Sequence, residues 1–387
     1  MQVIVKLTTR CNLKCSYCSE GDKVPRTLDM QVLKKLIDEI PEVLNKYKQK
    51  DITLLWHGGE PLLVGKNYLA EAMQYALQNL SDYKVRFSVQ TNGTLIDEEW
   101  VEIFKRFDVG VGVSLDGYKE IHDLNRKGKD GVPTFNKILS NISLLQNNGI
   151  SVGTLMVLNT TSDIDLQKLW NLITSKHLNV KIHPVIPCGR AKNNTQEKQI
   201  YDNYINLLEE IYKLCINETE IMEIEPLNEM LQAILKIAPM RECSFNGTCG
   251  QNFICLYSDG AVGFCGRIND DKKFVYGYLQ ESPLINLYDS GYANKVRDRQ
   301  RFLMENNCKD CIYWELCHGG CAFEALNAYG TIYAKYPNCE GRKKLLKFLQ
   351  TEGLVLLKQR LIKEKQYYRN VILEKKNLLK ELQNAQK

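Results

Sequence analysis

Three cysteines stand close together near the N-terminus of this 387-residue chain. The stretch TTRCNLKCSYCSEGDK, residues 8–23 (the Cys loop), places Cys11, Cys15 and Cys18 at C-x3-C-x2-C spacing. A structural zinc site needs four ligands and the loop offers three thiols, so His57 is the alternative fourth ligand. A 4Fe–4S cluster held by three thiolates instead leaves one iron open to a substrate or cofactor. The spacing therefore favours an iron–sulfur cluster with one open coordination site.

The other cysteines form a second field towards the C-terminus. Of the fourteen in the chain, nine lie between Cys243 and Cys339, and only Cys188 and Cys215 lie between the two fields. The first residues read as a strand entering the Cys loop and leave no room for a signal peptide, so we expect a cytoplasmic protein without structural disulfides. Two fields of thiols in such a protein predict at least two metal centres, with a zinc ribbon as the alternative for the second.

The composition is that of a globular protein with a basic C-terminus. Hydrophobic residues make up 44% and charged residues 25% of the chain, and no run approaches the roughly 18 apolar residues of a membrane-spanning helix. The net charge is +5, yet residues 342–387 hold thirteen Lys or Arg against four Asp or Glu. Leu354, Leu357 and Leu361 recur at helical spacing there, without the interleaved aromatic residues of a nucleic-acid module. We interpret this tail as a solvated amphipathic helix and expect neither a membrane nor a nucleic acid as partner.

Six strand–helix repeats precede the second cysteine field. Short links between the repeats predict parallel strands with right-handed crossovers. Six units of the eight in a closed barrel give an α/β fold, a partial (β/α)6 barrel or an open sheet. The predicted regions are a partial barrel at 1–217, a bridging helix (expected at about 199–237) with a cysteine-rich domain at 218–341, and a basic helical tail at 342–387.

Polar and glycine-rich stretches follow the first four predicted strands. The Cys loop comes first, then HGGEP, QTNG and SLDG. In parallel α/β folds the carboxyl ends of the strands carry the site, so these loops are expected to converge on one face.

The Cys loop resembles that of the radical S-adenosylmethionine (SAM) enzymes, with an aromatic residue before the third cysteine. The resemblance implies that SAM binds the open iron and that an electron from the cluster splits it into a 5′-deoxyadenosyl radical. GGEP resembles the turn that contacts the SAM amino group, SLDG and HDLNR resemble the ribose and carboxylate contacts, and the aromatic residue lies near the adenine. The implied cofactor-binding residues are Tyr17, Gly58, Gly59, Glu60, Ser114 and Arg126.

The second field resembles the SPASM extension carried by a subset of these enzymes. This resemblance implies two further 4Fe–4S clusters, fully ligated and suited to electron transfer, for three clusters in total. By motif position, it assigns the first auxiliary cluster to Cys243, Cys249, Cys265 and Cys321, and the second to Cys308, Cys311, Cys317 and Cys339. Cys255 is left over and is interpreted as structural or spare.

Enzymes with this extension mostly modify peptides or proteins, so the resemblance implies such a substrate and an external electron donor such as flavodoxin or ferredoxin. QTNGTLID and the segment around SLDG particularly resemble anaerobic sulfatase maturases, which oxidise a Cys or Ser to formylglycine. Their motif has an Asp base directly after the cysteine corresponding to Cys265, where this chain has Gly266. Asp259, Asp270 and Asp271 are nearby in sequence but read as turn residues, and the general base stays unknown. We therefore predict first a maturase that forms thioether or carbon–carbon crosslinks in a ribosomally made peptide, and as the alternative a sulfatase maturase.

Two readings from other classes stay open. The chain is alternatively an electron carrier that only holds clusters, or a zinc protein that binds nucleic acid; the SAM-contact motifs argue against the first. His57, His122 and His183 stand near strand ends, and we interpret each as a hydrogen-bonded structural residue.

Overall fold

The computed structural model describes residues 1–160, 163–193, 197–218, 222–267, 274–366 and 369. Among these residues, the strands are β1 (Gln2–Thr8), β2 (Asp51–Gly58), β3 (Lys84–Thr91), β4 (Val109–Ser114), β5 (Val152–Leu158), β6 (Asn179–Pro184), β7 (Ile224–Glu225), β8 (Phe253–Leu256), β9 (Ala261–Gly263) and β10 (Val275–Tyr278).

The α-helices alternate with the first six strands and then cluster towards the C-terminus. They are α1 (Met30–Lys46), α2 (Lys66–Asn79), α3 (Glu98–Arg106), α4 (Lys119–Asn125), α5 (Phe135–Asn147), α6 (Leu166–Ser175), α7 (Glu197–Asn217), α8 (Leu227–Ile234), α9 (Leu284–Tyr288), α10 (Gly291–Glu305), α11 (Trp314–Cys317), α12 (Ala322–Tyr329) and α13 (Cys339–Phe348). Short 3-10 helices at Pro61–Val64 and Gly189–Ala191 follow β2 and β6, and a π-helical turn at Leu349–Gly353 continues α13.

All ten strands belong to one sheet, in the order β10-β9-β8-β1-β2-β3-β4-β5-β6-β7. Strands β1 to β6 pair in parallel with their sequence neighbours, which confirms the predicted α/β architecture. β7 adds in parallel beside β6 and β8 adds in parallel beside β1, whereas β9 runs antiparallel to β8 and to β10. The sheet therefore extends past both ends of the six predicted units.

Alternating side chains give the sheet an apolar face and a polar face. Val3, Val5 and Leu7 of β1 are fully buried in the core, as expected for a face covered by helices. The opposite face carries polar groups, since Lys6 of β1 lies directly beside His57 of β2 in the strand register. The polar face and the carboxyl ends of the strands therefore form the wall of the site.

Aspartates begin three of the helices that cover the apolar face. The side chains of Asp29, Asp97 and Asp165 accept hydrogen bonds from backbone N–H groups in the first turns of α1, α3 and α6. Capping of this kind satisfies otherwise unpaired donors and fixes where each helix starts relative to its strand.

The predicted bridging helix at about 199–237 is wrong in its middle. α7 ends at Asn217, and the chain then forms β7, in which Ile224 pairs with Val180 of β6. Pro226 precedes the next helix, α8, and cannot supply an N–H to a continuous helix. A sheet edge that accepts another strand thus overrides local helical preference.

The predicted region boundaries stay predictions, but the sheet itself crosses residue 217 because β7 and β8 lie beyond it. α13 begins at Cys339, before the predicted tail, and packs against α7. Residues 370–387 of the tail are not among the described residues. Within the part of the chain that is described, no helix combines the length and apolar character needed to span a membrane.

Candidate metal and cofactor sites

The Cys loop leaves the carboxyl end of β1 and folds back on itself. The N–H of Cys18 donates to the carbonyl of Cys15 at 3.4 Å, and the N–H of Gly21 donates to that of Cys18 at 3.1 Å. Burial raises the pKa of Cys11 to about 11, and the nearby thiols of Cys15 and Cys18 add to the increase. All fourteen cysteines of the chain are free thiols. The three predicted ligands of the first cluster are thus neighbours in one short loop.

The segment after β6, five strands along the sheet from β1, also holds the Cys loop. Arg190 donates from its backbone to the carbonyl of Cys18 at 3.0 Å and from Nη1 to that of Cys15 at 2.9 Å, and it also pairs with Asp22 at 2.6 Å. A Cβ on the preceding Gly189 would lie 2.2 Å from the Cys18 carbonyl oxygen. Sequence reasoning missed this contact, although the Gly-Arg pair at a strand end was the available signal.

Gly58, the last residue of β2, and Gly59 after it are required because the backbone of the Cys loop passes close to them. Gly58 has φ +144°, and a Cβ there would lie 2.4 Å from the carbonyl oxygen of Thr8. A Cβ on Gly59 would lie 2.3 Å from that of Arg10, and the N–H of Glu60 donates to the same carbonyl at 2.8 Å. The predicted SAM-contact turn therefore lies directly against the Cys loop.

The carboxylate of Glu60 joins this turn to the turn after β3. It is fully buried. Its Oε1 accepts from Thr91 Oγ1 at 2.6 Å and from the N–H of Leu62 at 3.1 Å, and its Oε2 accepts from the N–H of Asn92 at 2.7 Å. Burial raises the pKa of Glu60. With its oxygens occupied in this way, Glu60 offers a ligand its backbone rather than its side chain.

Asn92, in the QTNG turn, is a site residue that sequence reasoning did not single out. Its Nδ2 donates to Asn12 Oδ1 at 2.8 Å and lies 4.0 Å from the sulfur of Cys11. The N–H of Leu13 approaches the same sulfur at 3.4 Å. Donors aimed at a thiolate stabilise its charge, so Asn92 belongs to the environment of the Cys loop.

Tyr17, Asp116 and Arg126 form a buried polar group between the Cys loop, β4 and α4. The hydroxyl of Tyr17 donates to Asp116 and accepts from Arg126 Nη1, the latter at 2.7 Å. Asp116 also accepts from the N–H of Val157 at 3.1 Å. Arg126 is 8% exposed, and its buried Nε–H has no hydrogen-bond partner. A buried guanidinium with a free donor fits a carboxylate ligand, the group that the resemblance assigns to Arg126.

Ser114 ends β4 next to this group. It is 9% exposed and accepts from Gln90 Nε2 at 3.1 Å. A cleft of about 280 Å³ opens beside Asp116, lined among others by Ile121, Leu124, Asn125, Val157 and Leu158. The Cys loop with Tyr17, the turn of residues 58–60 and Ser114 lie at the carboxyl ends of β1, β2 and β4. A ribose contact for Ser114 stays a prediction.

Four thiols of the second field lie together near Arg267. Burial and the mutual proximity of these thiols raise the pKa of Cys249. Arg267 pairs with Glu324 at 3.7 Å, and its backbone N–H approaches the sulfur of Cys265 at 3.4 Å. The four thiols are Cys243, Cys249, Cys265 and Cys321. Cys243 and Cys321 line a cleft of about 650 Å³, here called the first thiol cleft.

The other four thiols line a separate cleft. Cys308, Cys311, Cys317 and Cys339 surround about 360 Å³ of space, here called the second thiol cleft, together with Tyr336 and Arg342. Cys255 lies outside both groups and is fully buried against Tyr257 and Ala261.

Both sets consist only of thiols, which suit iron–sulfur clusters or zinc. The described ranges contain no group of three or more His, Cys, Asp or Glu side chains placed to hold a single metal ion. In a four-iron cluster each thiolate ligates a different iron. The preference for clusters over zinc therefore rests on the resemblance of the motifs.

The predicted histidines have ordinary hydrogen-bond roles. His122 is fully buried, its Nδ1 accepts from the N–H of Asp116 at 3.1 Å, and its Nε2 lies 3.1 Å from Thr134 Oγ1. His57 Nδ1 accepts from the N–H of Gly58 at 2.7 Å, which leaves that nitrogen unavailable to a metal. His183 lines the first thiol cleft.

Gly266, at the position where the resemblance to sulfatase maturases predicts an Asp, packs against Ile4 and Lys6 of β1. A Cβ at this position would lie 3.3 Å from Lys6 Cε. Lys6 forms a buried ion pair with Glu20 and lies 3.3 Å from His57 Nδ1. Although burial favours the protonated acid, the ammonium groups of Lys6 and Lys23 lower the pKa of Glu20 to about 2.

The aspartates near Gly266 in sequence do not replace the missing side chain on the described residues. Asp259 accepts from the N–H of Ala261 at 3.1 Å in the turn between β8 and β9, as expected of a turn residue. Asp270 and Asp271 lie outside the described residues.

Comparison with known proteins adds a family and several relatives. Residues 5–173 match the model of the Radical SAM superfamily. A cysteine-type anaerobic sulfatase-maturating enzyme of Clostridium novyi is 29% identical over 332 residues, which cover 82% of this chain and 87% of the relative. A second enzyme of this type, from Clostridium perfringens, is 29% identical over 333 residues, covering 82% and 88%.

Solved structures of similar fold include one with a bound peptide and SAM and one with a precursor peptide. The structure of native anSMEcpe with bound AdoMet and Cp18Cys peptide has a TM-score of 0.78 to this chain at 25% identity, and the match covers 93% of this chain and 98% of that one. SuiB of Streptococcus suis bound to its precursor peptide SuiA has a TM-score of 0.62 at 15% identity, covering 87% and 75%. The second likeness concerns the fold alone.

Proposed function

The chain belongs to the radical SAM superfamily, and we propose that it is a maturase that oxidises a Cys or Ser side chain of a protein or peptide substrate to formylglycine. One observation carries this proposal: the similarity to cysteine-type sulfatase-maturating enzymes extends through both cysteine fields, over 93% of the chain in the structural match. The sequence ranked peptide crosslinking first and this activity second, and the comparisons support the reverse order.

The cofactor set proposed for this activity is SAM with three 4Fe–4S clusters. The residues that would hold the first cluster are Cys11, Cys15 and Cys18, held in place by Arg190. When bound, SAM and this cluster supply a one-electron reduction and the radical that removes hydrogen from the substrate. The unpaired Nε–H of Arg126 is the donor we assign to the SAM carboxylate, and the tight turn at Gly58 and Gly59 presents backbone groups to the SAM amine.

The chain's remaining task is to bind and orient the substrate side chain and to receive its proton. Lys6 packs against Gly266, and its ammonium group contacts Glu20 and His57. Burial lowers the pKa of His57 to about 3, with a further contribution from Lys6, so its imidazole is neutral at physiological pH. An imidazole with so low a pKa is a weak base, and its Nδ1 already accepts from the N–H of Gly58. Glu20 is committed to Lys6, so neither side chain is assigned as the proton acceptor.

A second candidate function is crosslinking of a ribosomally made peptide. Gly266 favours it, because the carboxylate that serves as base in sulfatase maturases is missing from that position. The external donor, flavodoxin or ferredoxin, is a partner expected under either activity.

The test is a mass spectrum of a Cys-containing sulfatase-type peptide after anaerobic incubation with the iron–sulfur-loaded enzyme, SAM and a reductant. Formation of 5′-deoxyadenosine is followed in the same mixture, and a peptide with Ala in place of the Cys is the control. We expect the Cys peptide to lose its sulfur and gain an aldehyde, while the Ala peptide stays unchanged.

The outcomes separate the candidates. Deoxyadenosine formation with an unchanged Cys peptide contradicts formylglycine formation and directs the search to precursor peptides. Absence of deoxyadenosine from enzyme carrying all three clusters contradicts both activities and supports the electron-carrier reading.

A further inference from the structure

Arg342, in the first turns of α13, is a buried arginine that the proposed activity does not use. It is 6% exposed, and its guanidinium carbon lies 3.7 Å from the ring centre of Phe245 and 3.9 Å from that of Tyr336. A guanidinium stacked between two aromatic rings is held in one orientation. Its hydrogen-bond donors therefore point in fixed directions.

Those donors contact the segments that carry the two C-terminal thiol groups. Nη1 donates to the carbonyl of Ser244, the residue after Cys243, at 3.1 Å. The same nitrogen lies 3.7 Å from the sulfur of Cys317, within the range of a hydrogen bond to sulfur. One side chain thus touches a predicted ligand of the second auxiliary cluster and the neighbour of a predicted ligand of the first.

Arg342 and Tyr336 also separate the two thiol clefts. Both residues line the first thiol cleft, with Cys243 and Cys321, and both line the second, with its four thiols. Gly320 makes room for them, because a Cβ there would lie 2.4 Å from Tyr336 Cβ and 2.9 Å from Arg342 Nη1. The pair is therefore a wall common to both clefts.

The charge of Arg342 has no carboxylate to balance it. Among the residues that the structure describes, no carboxylate oxygen lies within ion-pair distance of its guanidinium, and Glu324 of the first thiol cleft pairs with Arg267. An arginine stays protonated, and a buried charge without a counter-charge is costly. The sulfur within reach is that of Cys317, which would be an anionic thiolate when it ligates a cluster.

We propose that Arg342 is a positioning residue that sets the reduction potential of the cluster held by Cys308, Cys311, Cys317 and Cys339. This inference rests on the cluster content in the proposed function, not on the substrate. Reduction adds negative charge to a cluster, and a fixed buried cation with a hydrogen bond to a ligand sulfur stabilises that added charge. Arg342 therefore raises the potential of the second auxiliary cluster relative to the same site without it.

The experiment is an anaerobic redox titration followed by electron paramagnetic resonance on the iron–sulfur-loaded native protein and its Arg342→Gln and Arg342→Lys variants. We expect Arg342→Gln to lower the potential of one auxiliary cluster, and Arg342→Lys to lower it less because the charge is retained. Arg360→Gln is the control: Arg360 is a partly buried arginine in the same C-terminal helical stretch, but it contacts Glu364 and the Cys215 carbonyl. Unchanged potentials in Arg342→Gln with full iron content overturn the proposal.

A measurement on the native protein covers the case in which Arg342→Gln loses iron. Arginine labelled with nitrogen-15 in the side chain is expected to give a nitrogen coupling to the reduced second auxiliary cluster in pulsed resonance spectra. That coupling disappears in Arg342→Lys if Arg342 is its source, and its persistence there overturns the proposal. An iron content too low for three clusters would instead contradict the cluster content of the proposed function, so the two failures are distinguishable.

Discussion

Individual side chains around the Cys loop divide into those that hold the loop and those left free for a ligand. Arg190 and Asn92 have their donors occupied by the loop, whereas Arg126 keeps a buried Nε–H without a partner. An unsatisfied buried donor is costly in a folded protein and persists where a ligand completes it. This contrast makes Arg126 the strongest single indication of an anionic ligand.

The role of the three loop thiols is tested by replacing the last of them. Cys18→Ala removes one of three ligands, so we expect deoxyadenosine formation to fall to background under reducing conditions. Cys215→Ala is the control, because that thiol is on α7, outside the Cys loop and both thiol clefts. Normal SAM cleavage by Cys18→Ala contradicts the assignment of the first cluster.

His122 makes the stability of the protein depend on pH. Burial lowers the pKa of His122 to about 3, and Arg126 contributes further. The native imidazole stays neutral while the unfolded one binds a proton below about pH 6.5, so the contribution of His122 is present above pH 6.5 and is lost as the pH falls.

Between pH 7.5 and 5.5 this loss amounts to about 1.4 kcal/mol. The measurement is the free energy of unfolding by anaerobic urea titration at the two pH values. From pH 7.5 to 5.5 it should decrease less in His122→Gln than in the native protein, by about that amount. Equal decreases in the two proteins would show that His122 does not titrate on unfolding.

At the scale of elements, the site depends on how closely the turn after β2 approaches the end of β1. Backbone contacts at Thr8 and Arg10 leave no space for side chains at Gly58 and Gly59. The buried carboxylate of Glu60 in turn joins the turn after β2 to the turn after β3. The Cys loop is thus positioned by backbone contact between parallel strands.

Gly58→Ala tests this contact. The added methyl group would meet the Thr8 carbonyl at 2.4 Å in a backbone conformation unfavourable for alanine, and we expect a cost of at least about 1–3 kcal/mol. Iron content after reconstitution and the melting temperature should both decrease. Gly291→Ala, at the start of α10 with no atom within 4 Å of the added carbon, should change neither. Equal behaviour of the two variants would contradict the positional role of the turn.

At the scale of the whole molecule, one sheet joins the two cysteine fields. β8, between Cys249 and Cys265, pairs in parallel with β1, which leads into the Cys loop. We therefore expect loss of order at β8 to be felt in β1, the strand that leads into the first cluster site.

Hydrogen exchange measures this connection. In the double variant Cys249→Ala/Cys321→Ala we expect the amides of β8 and of the paired β1 residues to exchange at least about tenfold faster, because metal binding is coupled to folding. That factor corresponds to a loss of about 1.4 kcal/mol in the local free energy of opening. Amides of β4 and β5, at the far side of the sheet, should keep their native rates, and Cys215→Ala serves as the control. Unchanged exchange in β8 would show that the antiparallel pair of β8 and β9 folds without the proposed cluster ligands.

The sequence alone was sufficient for features that depend on short stretches. The six parallel strands follow from local hydrophobic runs and short links, and the three thiols of the Cys loop are held together by their spacing, whatever the rest of the fold does. The two-residue β7 and the four-residue β8 were missed because such short strands have no periodicity of their own and exist only where a sheet edge accepts them.

Contacts between distant segments were decided by the tertiary structure. Three features bring together residues that are far apart in the chain. They are the two groups of four thiols, the ion pair of Lys6 and Glu20 near Gly266, and the position of Arg342 between the two thiol clefts. A spacing rule limits only what one loop can reach, whereas these contacts result from how strands and helices pack. Sequence therefore determined which residue types were available for chemistry, and packing decided which of them meet.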